Sequence, residues 1–202
     1  MSPDPARIAG FYKFARGLVK IIVQGVFGLR VLGSENVPSD GPLIVVANHI
    51  SNADPPILGS ALNRPVSYMA KKELYFWPLG PLIGACGAYA VDRQAGGTAA
   101  LRASLRMLKE GRAIGIFPEG GRNVDGAKEA KAGAAFLAAT SGAPVIPAYI
   151  GGTRSLRPGR PVTVVFGRPF RVVRNRQAGD GDLEKWAEEI MMRIHALEES
   201  IR

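Results

Sequence analysis

Leu43-Ile44-Val45-Val46-Ala47-Asn48-His49-Ile50-Ser51-Asn52-Ala53-Asp54-Pro55-Pro56 decides how this chain is read. Its first five residues are an unbroken apolar run, β-branched at Ile44, Val45 and Val46, of the kind that fills a strand buried on both faces. Pro55 and Pro56 then mark a new element. Proline is tolerated in the first turn of a helix and pushes the residue before it out of the helical region. Asp54 is therefore expected at the N-cap, with His49 in the turn between strand and helix. On a continuous helix, residues five apart point about 140° away from each other. A turn instead lets His49 fold back towards Asp54, and an Asp–His pair is how an imidazole is oriented to accept a proton. Taken alone, the stretch reads equally as an Asp cap, worth about 1 kcal/mol, beside a packing histidine.

Outward from this stretch the same alternation continues. Ile114–Phe117, Pro144–Ile150 and Val162–Phe166 read as further buried strands, and Val66–Ala70 and Tyr89–Val91 as additional ones. Pro55–Leu62, Thr98–Lys109, Lys131–Ser141 and Leu183–Ile201 carry helical patterns. Strands alternating with helices predict an α/β domain with a mostly parallel central sheet flanked by helices. Sites in such sheets gather beyond the carboxyl ends of strands, which is where His49 and Glu119 fall. Gly151–Pro161 and Gln177–Asp182 read as loops. His195 sits in the charged stretch Glu184–Arg202 and is assigned to a solvated helix face.

Two segments are expected: residues 1–32, an N-terminal amphipathic helical segment, and residues 33–202, the main domain. In the first, Lys13, Arg16, Lys20 and Gln24 project onto one stripe, with Phe11, Ala15, Leu18, Val19, Ile22 and Val26 on the opposite side. That pattern suits a helix lying in a membrane interface with a basic face for anionic headgroups. The alternative is a helix packed on the protein's own core. Gly25 and Gly28 are candidate breaks. The longest uncharged stretch, Ile21–Leu29, is far short of the roughly 20 residues a spanning helix needs.

Composition narrows the partners. Lys and Arg number 26 against 17 Asp and Glu, a formal charge of +9 that points to an anionic partner. No dense basic run interleaved with aromatics is present, which disfavours nucleic acid. Cys86 is the single cysteine, so no disulfide framework forms within the chain, and no Cys/His spacing suggests a metal site. Cys86 itself is expected to be a small buried hydrophobe.

A second constellation, Phe117-Pro118-Glu119-Gly120-Gly121-Arg122, opens a loop after the Ile114 run. Its glycines permit close backbone approach to a ligand, and Arg122 offers paired N–H donors suited to phosphate. In isolation it is also an ordinary glycine turn with a surface ion pair.

Together the two constellations resemble the glycerophospholipid acyltransferase family, in particular the 1-acyl-glycerol-3-phosphate acyltransferases. The family's N-H-x4-D is intact as Asn48-His49…Asp54, and its F-P-E-G-T-R-S appears as Phe117-Pro118-Glu119-Gly120-Gly121-Arg122-Asn123. Gly121 replaces Thr and Asn123 replaces Ser. Weaker blocks follow in order: Lys71-Lys72-Glu73-Leu74 through Gly84 to Val91-Asp92-Arg93, then Lys131-Ala132-Gly133, then Val145-Ile146-Pro147-Ala148. The resemblance runs from about Gly33 to Gly167.

The resemblance implies that His49 is a general base that deprotonates an acceptor hydroxyl, oriented by Asp54, with no acyl-enzyme. It implies that Arg93, Glu119, Gly120, Arg122 and Lys131 hold the phosphate head of a lysophospholipid acceptor. The implied donor is an acyl thioester, acyl-CoA or acyl-carrier protein, as co-substrate, with no cofactor and no metal. The implied location is the cytoplasmic face of the cell membrane, as a peripheral or monotopic protein. Other acceptors remain open (another lysophospholipid, glycerol-3-phosphate, a lipid alcohol or amine), as does a non-catalytic module that binds anionic lipid.

Overall fold

The computed structural model describes residues 5–76, 80, 88–91, 97–126, 128–173 and 181–201. Its strands are β1 (Leu29–Leu32), β2 (Leu43–Ala47), β3 (Val66–Lys71), β4 (Ala88–Val91), β5 (Ala113–Ile116), β6 (Val145–Gly151) and β7 (Val162–Phe166). They form one sheet in the order β1-β7-β6-β2-β5-β3-β4. Neighbours are parallel throughout except β6 and β7, which pair antiparallel. The α/β architecture with a mostly parallel sheet flanked by helices is as the sequence predicts.

The helices are α1 (Pro5–Phe27), α2 (Asp54–Ala61), α3 (Thr98–Lys109), α4 (Gly133–Ser141) and α5 (Gly181–Glu199). Side chains on a strand alternate between faces, and here the alternation divides the core in two. Leu43, Val45 and Ala47 pack with Ile57 and Leu58 of α2 and Val23 of α1. Ile44 and Val46 pack with Leu108 of α3, Leu137 of α4 and Ile190 and Ile194 of α5. Every β2 residue is buried because both faces are covered. At the amino edge the buried Arg64 donates to the carbonyls of Pro38, Asp40, Gly41 and Gly111, fastening together the turns that lead into β2 and β5.

Two expectations need correction near the N-terminus. The helical reading extends to Leu32, but α1 ends at Phe27; Gly25 continues it and Gly28, at φ 76°, stops it. Leu29–Leu32 is an edge strand, with Leu29 buried and Arg30 exposed in the period of a sheet. The single apolar face of α1 is likewise two faces. Ala15, Val19 and Val23 turn towards the core, while Phe14, Leu18, Ile21, Ile22 and Val26 are exposed. Lys20 and Gln24 are exposed between them. Arg16 donates to the carbonyl of Leu62 at the far end of α2, so α1 runs antiparallel to α2 and its C-terminal end rises to the carboxyl edge of β2.

Candidate active site

Because β2, β5 and β6 are parallel, the loops that follow them meet at one edge of the sheet. The first carries His49. Its Nδ1 lies 3.0 Å from Oδ2 of Asp54, whose side chain is 0% exposed against 14% for the histidine. The same Oδ2 accepts the backbone N–H groups of Ile50 and Ser51, both at 2.7 Å. Asp54 is thus the first residue of α2, after an N-cap at Ala53, and not the N-cap itself. The N-cap expectation fails because the carboxylate turns back onto the N–H groups of Ile50 and Ser51, while Pro55 and Pro56 offer no N–H to cap. Oδ1 is buried with no partner among the described residues. With an acid oxygen accepting at Nδ1, the ring's N–H points to Asp54 and Nε2 is left as the acceptor.

The imidazole is held on a second side by Phe117, whose ring stacks at 4.3 Å between centroids and 26° between planes. Tyr68 stacks behind Phe117 at 6.2 Å. Room for that phenol comes from Gly115 in β5, where a Cβ would lie 2.2 Å from the Tyr68 ring.

The second loop is fastened to the first. Glu119, 5% exposed, accepts the His49 backbone N–H at Oε2 (2.7 Å) and the Asn123 side-chain amide at Oε1 (3.2 Å). Asn123 returns a bond, its backbone N–H donating to the His49 carbonyl at 2.6 Å. Burial pushes the Glu119 carboxyl above the ordinary range, against the opposing pull of these two donors. Its expected place is among the groups that hold a headgroup; in the structure both its oxygens meet protein donors.

Gly120 has φ 66°, and a Cβ there would lie 2.8 Å from Cε and 3.0 Å from Nζ of Lys131. The Lys131 stem therefore lies along a glycine that only glycine suits. The Lys131 backbone N–H donates to the Pro118 carbonyl at 2.9 Å, and Lys128 Nζ donates to the Arg122 carbonyl at 2.6 Å. Arg122, Lys128 and Lys131 are all exposed around this loop. The structure brings together His49, Asp54, Glu119, Gly120, Arg122 and Lys131; Arg93 lies outside the described residues, as does Cys86. Among the described residues no three His, Cys, Asp or Glu side chains converge as a metal site would require.

Three residues at the site went unassigned in the sequence reading. Asn48 makes a paired contact with Ile150, donating to its carbonyl at 3.0 Å and accepting its N–H at 2.7 Å, which prolongs the β2–β6 ladder by one step. Its position directly after a strand was the available signal. Asn123 joins the two loops, and its substitution for a serine was visible without its consequence. Lys128 had only a local cluster of charge to mark it.

A histidine held by a buried acid, beside a cationic loop at the carboxyl edge of an α/β sheet, makes this the candidate active site. A family model described as Acyltransferase matches residues 28–151, more than half of the chain. The chain belongs to that acyltransferase family. It is 34% identical over 147 residues to the 1-acyl-sn-glycerol-3-phosphate acyltransferase of Bacillus subtilis, covering 71% of this chain and 73% of that protein. The enzyme of the same name from Streptococcus pneumoniae is 28% identical over 200 residues, 95% of this chain and 75% of that one. The crystal structure of the 1-acyl-sn-glycerophosphate (LPA) acyltransferase of Thermotoga maritima superposes with a TM-score of 0.66 at 29% identity, covering 92% of this chain and 77% of that one.

Proposed function

We propose that this acyltransferase moves a fatty acyl group from an acyl thioester, acyl-CoA or acyl-carrier protein, to the free hydroxyl of 1-acyl-glycerol-3-phosphate, giving phosphatidic acid. The relatives' names support the acceptor. One observation carries the chemistry: the 3.0 Å contact between His49 Nδ1 and the buried Asp54 carboxylate, which leaves Nε2 to take a proton.

His49 Nε2 removes the proton of the acceptor hydroxyl as its oxygen attacks the thioester carbonyl. Asp54 stabilises the imidazolium that forms. The new C–O bond forms, the C–S bond breaks, and the imidazolium returns its proton to the departing thiolate. No acyl-enzyme intervenes, since a thiolate leaves readily without one. Arg122 and Lys131, with Arg93, hold the acceptor phosphate, and Gly120 lets it approach the backbone. Glu119 acts one step removed, fixing the His49 loop against the phosphate loop.

The chain docks on a bilayer through the exposed apolar face of α1 as a peripheral or monotopic protein on the cytoplasmic face of the membrane, with α1 as the membrane-associating segment. No helix of the described residues is long and apolar enough to cross a membrane. Thiol release from acyl-CoA in detergent, with and without 1-acyl-glycerol-3-phosphate, tests the reaction. Release is expected only with the acceptor and only with His49 intact. Release that ignores the acceptor makes the protein a thioesterase, and equal turnover in His49→Ala removes the general base.

A further inference from the structure

β6 and β7 are joined by residues 152–161, Gly-Thr-Arg-Ser-Leu-Arg-Pro-Gly-Arg-Pro. The carboxyl end of β6 places this loop on the same edge as His49 and Glu119. The loop is closed at its base, where Gly152 has φ 86° and a Cβ would stand 2.5 Å from the Pro161 carbonyl oxygen. It is also fixed at two further points. The Gly159 N–H donates to the Val26 carbonyl at the end of α1 (2.9 Å), and Arg154 Nη2 donates to the Val124 carbonyl of the phosphate loop.

What this fixed loop presents outward is charge with one apolar group. Residues 154–161 are exposed, among them Arg154, Arg157 and Arg160, and Leu156 stands out beside them. Among the described residues no carboxylate lies within ion-pair distance of any of these arginines. Through Val26 the loop continues directly into the outward stripe of α1, where Phe14 is 66% and Ile21 72% exposed. An apolar stripe ending in an arginine cluster matches a bilayer surface, acyl chains beneath anionic headgroups.

We propose that the loop 152–161 is an anionic-lipid-binding arm, in which Arg157 and Arg160 contact headgroups and Leu156 enters the shallow interface. Arg154 links that arm to the phosphate loop. The arm sets the carboxyl edge of the sheet, and so the mouth of the site, against the lipid surface from which an acceptor is drawn. This rests on the lipid-facing role of α1 proposed above and adds to it a selectivity for negative charge that α1's apolar stripe does not provide.

The test is co-sedimentation of the full chain with vesicles of phosphatidylcholine alone and of phosphatidylcholine with phosphatidylglycerol. The variant is Arg157→Gln/Arg160→Gln, which spares Arg154. Each arginine near an anionic surface is worth roughly five-fold in partitioning, so the double variant is expected to bind anionic vesicles roughly 25-fold more weakly. Binding to neutral vesicles, thermal unfolding and turnover in detergent are expected to stay unchanged. Equal partitioning of variant and parent on anionic vesicles overturns the proposal. So does an intact vesicle binding with KM raised for an acyl-carrier-protein donor alone, which makes the arm a dock for an acidic protein. Acceptor-dependent thiol release in detergent needs no bilayer, so a failure of the proposed reaction registers there and a failure of the arm only on the vesicles.

Discussion

Glu119 accepts the backbone N–H of His49 across 70 residues of sequence, at 2.7 Å, and Asn123 closes the same junction from the other side through the His49 carbonyl. The His49 loop and the Glu119 loop are therefore one mechanical unit. Glu119→Ala would take the carboxylate from two part-buried donors, at roughly 1–2 kcal/mol each. Urea unfolding is expected to show a loss of about 2–4 kcal/mol, and turnover is expected to fall with it as His49 loses its register. Unchanged turnover in a correctly folded variant would mean that the junction does not position the base.

The same carboxyl carries a pH dependence of fixed sign. Burial raises its pKa above the ordinary 4.5, so the folded chain holds this proton at a pH where the unfolded chain has released it. The resulting stabilisation is complete below the ordinary value and is lost as pH rises through the raised one. Wild type is therefore expected to lose stability relative to Glu119→Gln as pH rises out of the acid range. Unfolding free energies of both proteins across that range give the comparison, and parallel curves would show that the two donors, not burial, set the titration.

Asp54→Asn separates charge from shape. An amide oxygen still accepts from His49, Ile50 and Ser51, the three donors now on Oδ2, so the loop is expected to stay closed. What disappears is the negative charge opposite the developing imidazolium. kcat is expected to fall roughly 10²–10⁴-fold while KM for the acceptor moves little. A variant as fast as wild type would reduce Asp54 to a turn-closing residue.

The sheet was legible because its strands are buried on both faces and leave unbroken apolar runs such as Leu43–Ala47. Strand β1 was not, since Leu-Arg-Val-Leu follows a helix of similar composition and only the backbone of Gly28 turns it into the sheet. The turn that lets His49 meet Asp54 was legible from Pro55 and Pro56, although its closing geometry was not: a cap and a turn-closing carboxylate use the same residue type. The role of Asn48 and the Glu119–Asn123 junction depend on partners 102 and 70 residues away, which no local pattern encodes. Period alone also could not say which apolar residues of α1 face the core, because two stripes share the helix.

The adjacent glycines after Glu119 are expected to answer differently to substitution. Gly120→Ala would combine a left-handed backbone (φ 66°) with a Cβ pressed onto Lys131, at about 1–2 kcal/mol for the backbone alone. Gly121 has no such φ, and a Cβ there would meet only Lys128 Nζ at 3.4 Å. Gly121→Thr, which puts back the hydroxyl common in the family motif, is expected to change stability by less than about 0.5 kcal/mol and to keep activity. Thermal unfolding and acceptor KM measured side by side decide the matter; equal damage at both positions would mean that the loop conformation differs from the one described.

The two apolar stripes of α1 yield a last, opposed pair of variants. Val23 is buried against the core and Ile21 is 72% exposed, although they are two residues apart on one helix. Val23→Glu puts an unpaired carboxylate into an apolar layer and is expected to cost several kcal/mol, or the fold itself. Ile21→Glu leaves the core untouched, so its melting temperature is expected to match wild type. Its effect belongs to the bilayer: an isoleucine withdrawn from water contributes about 2 kcal/mol, and replacing it with an anion adds repulsion from acidic headgroups. Vesicle partitioning is therefore expected to drop by more than about ten-fold. Retained binding by Ile21→Glu would show that the outward stripe faces water in the working enzyme, and that the membrane is reached by some other surface.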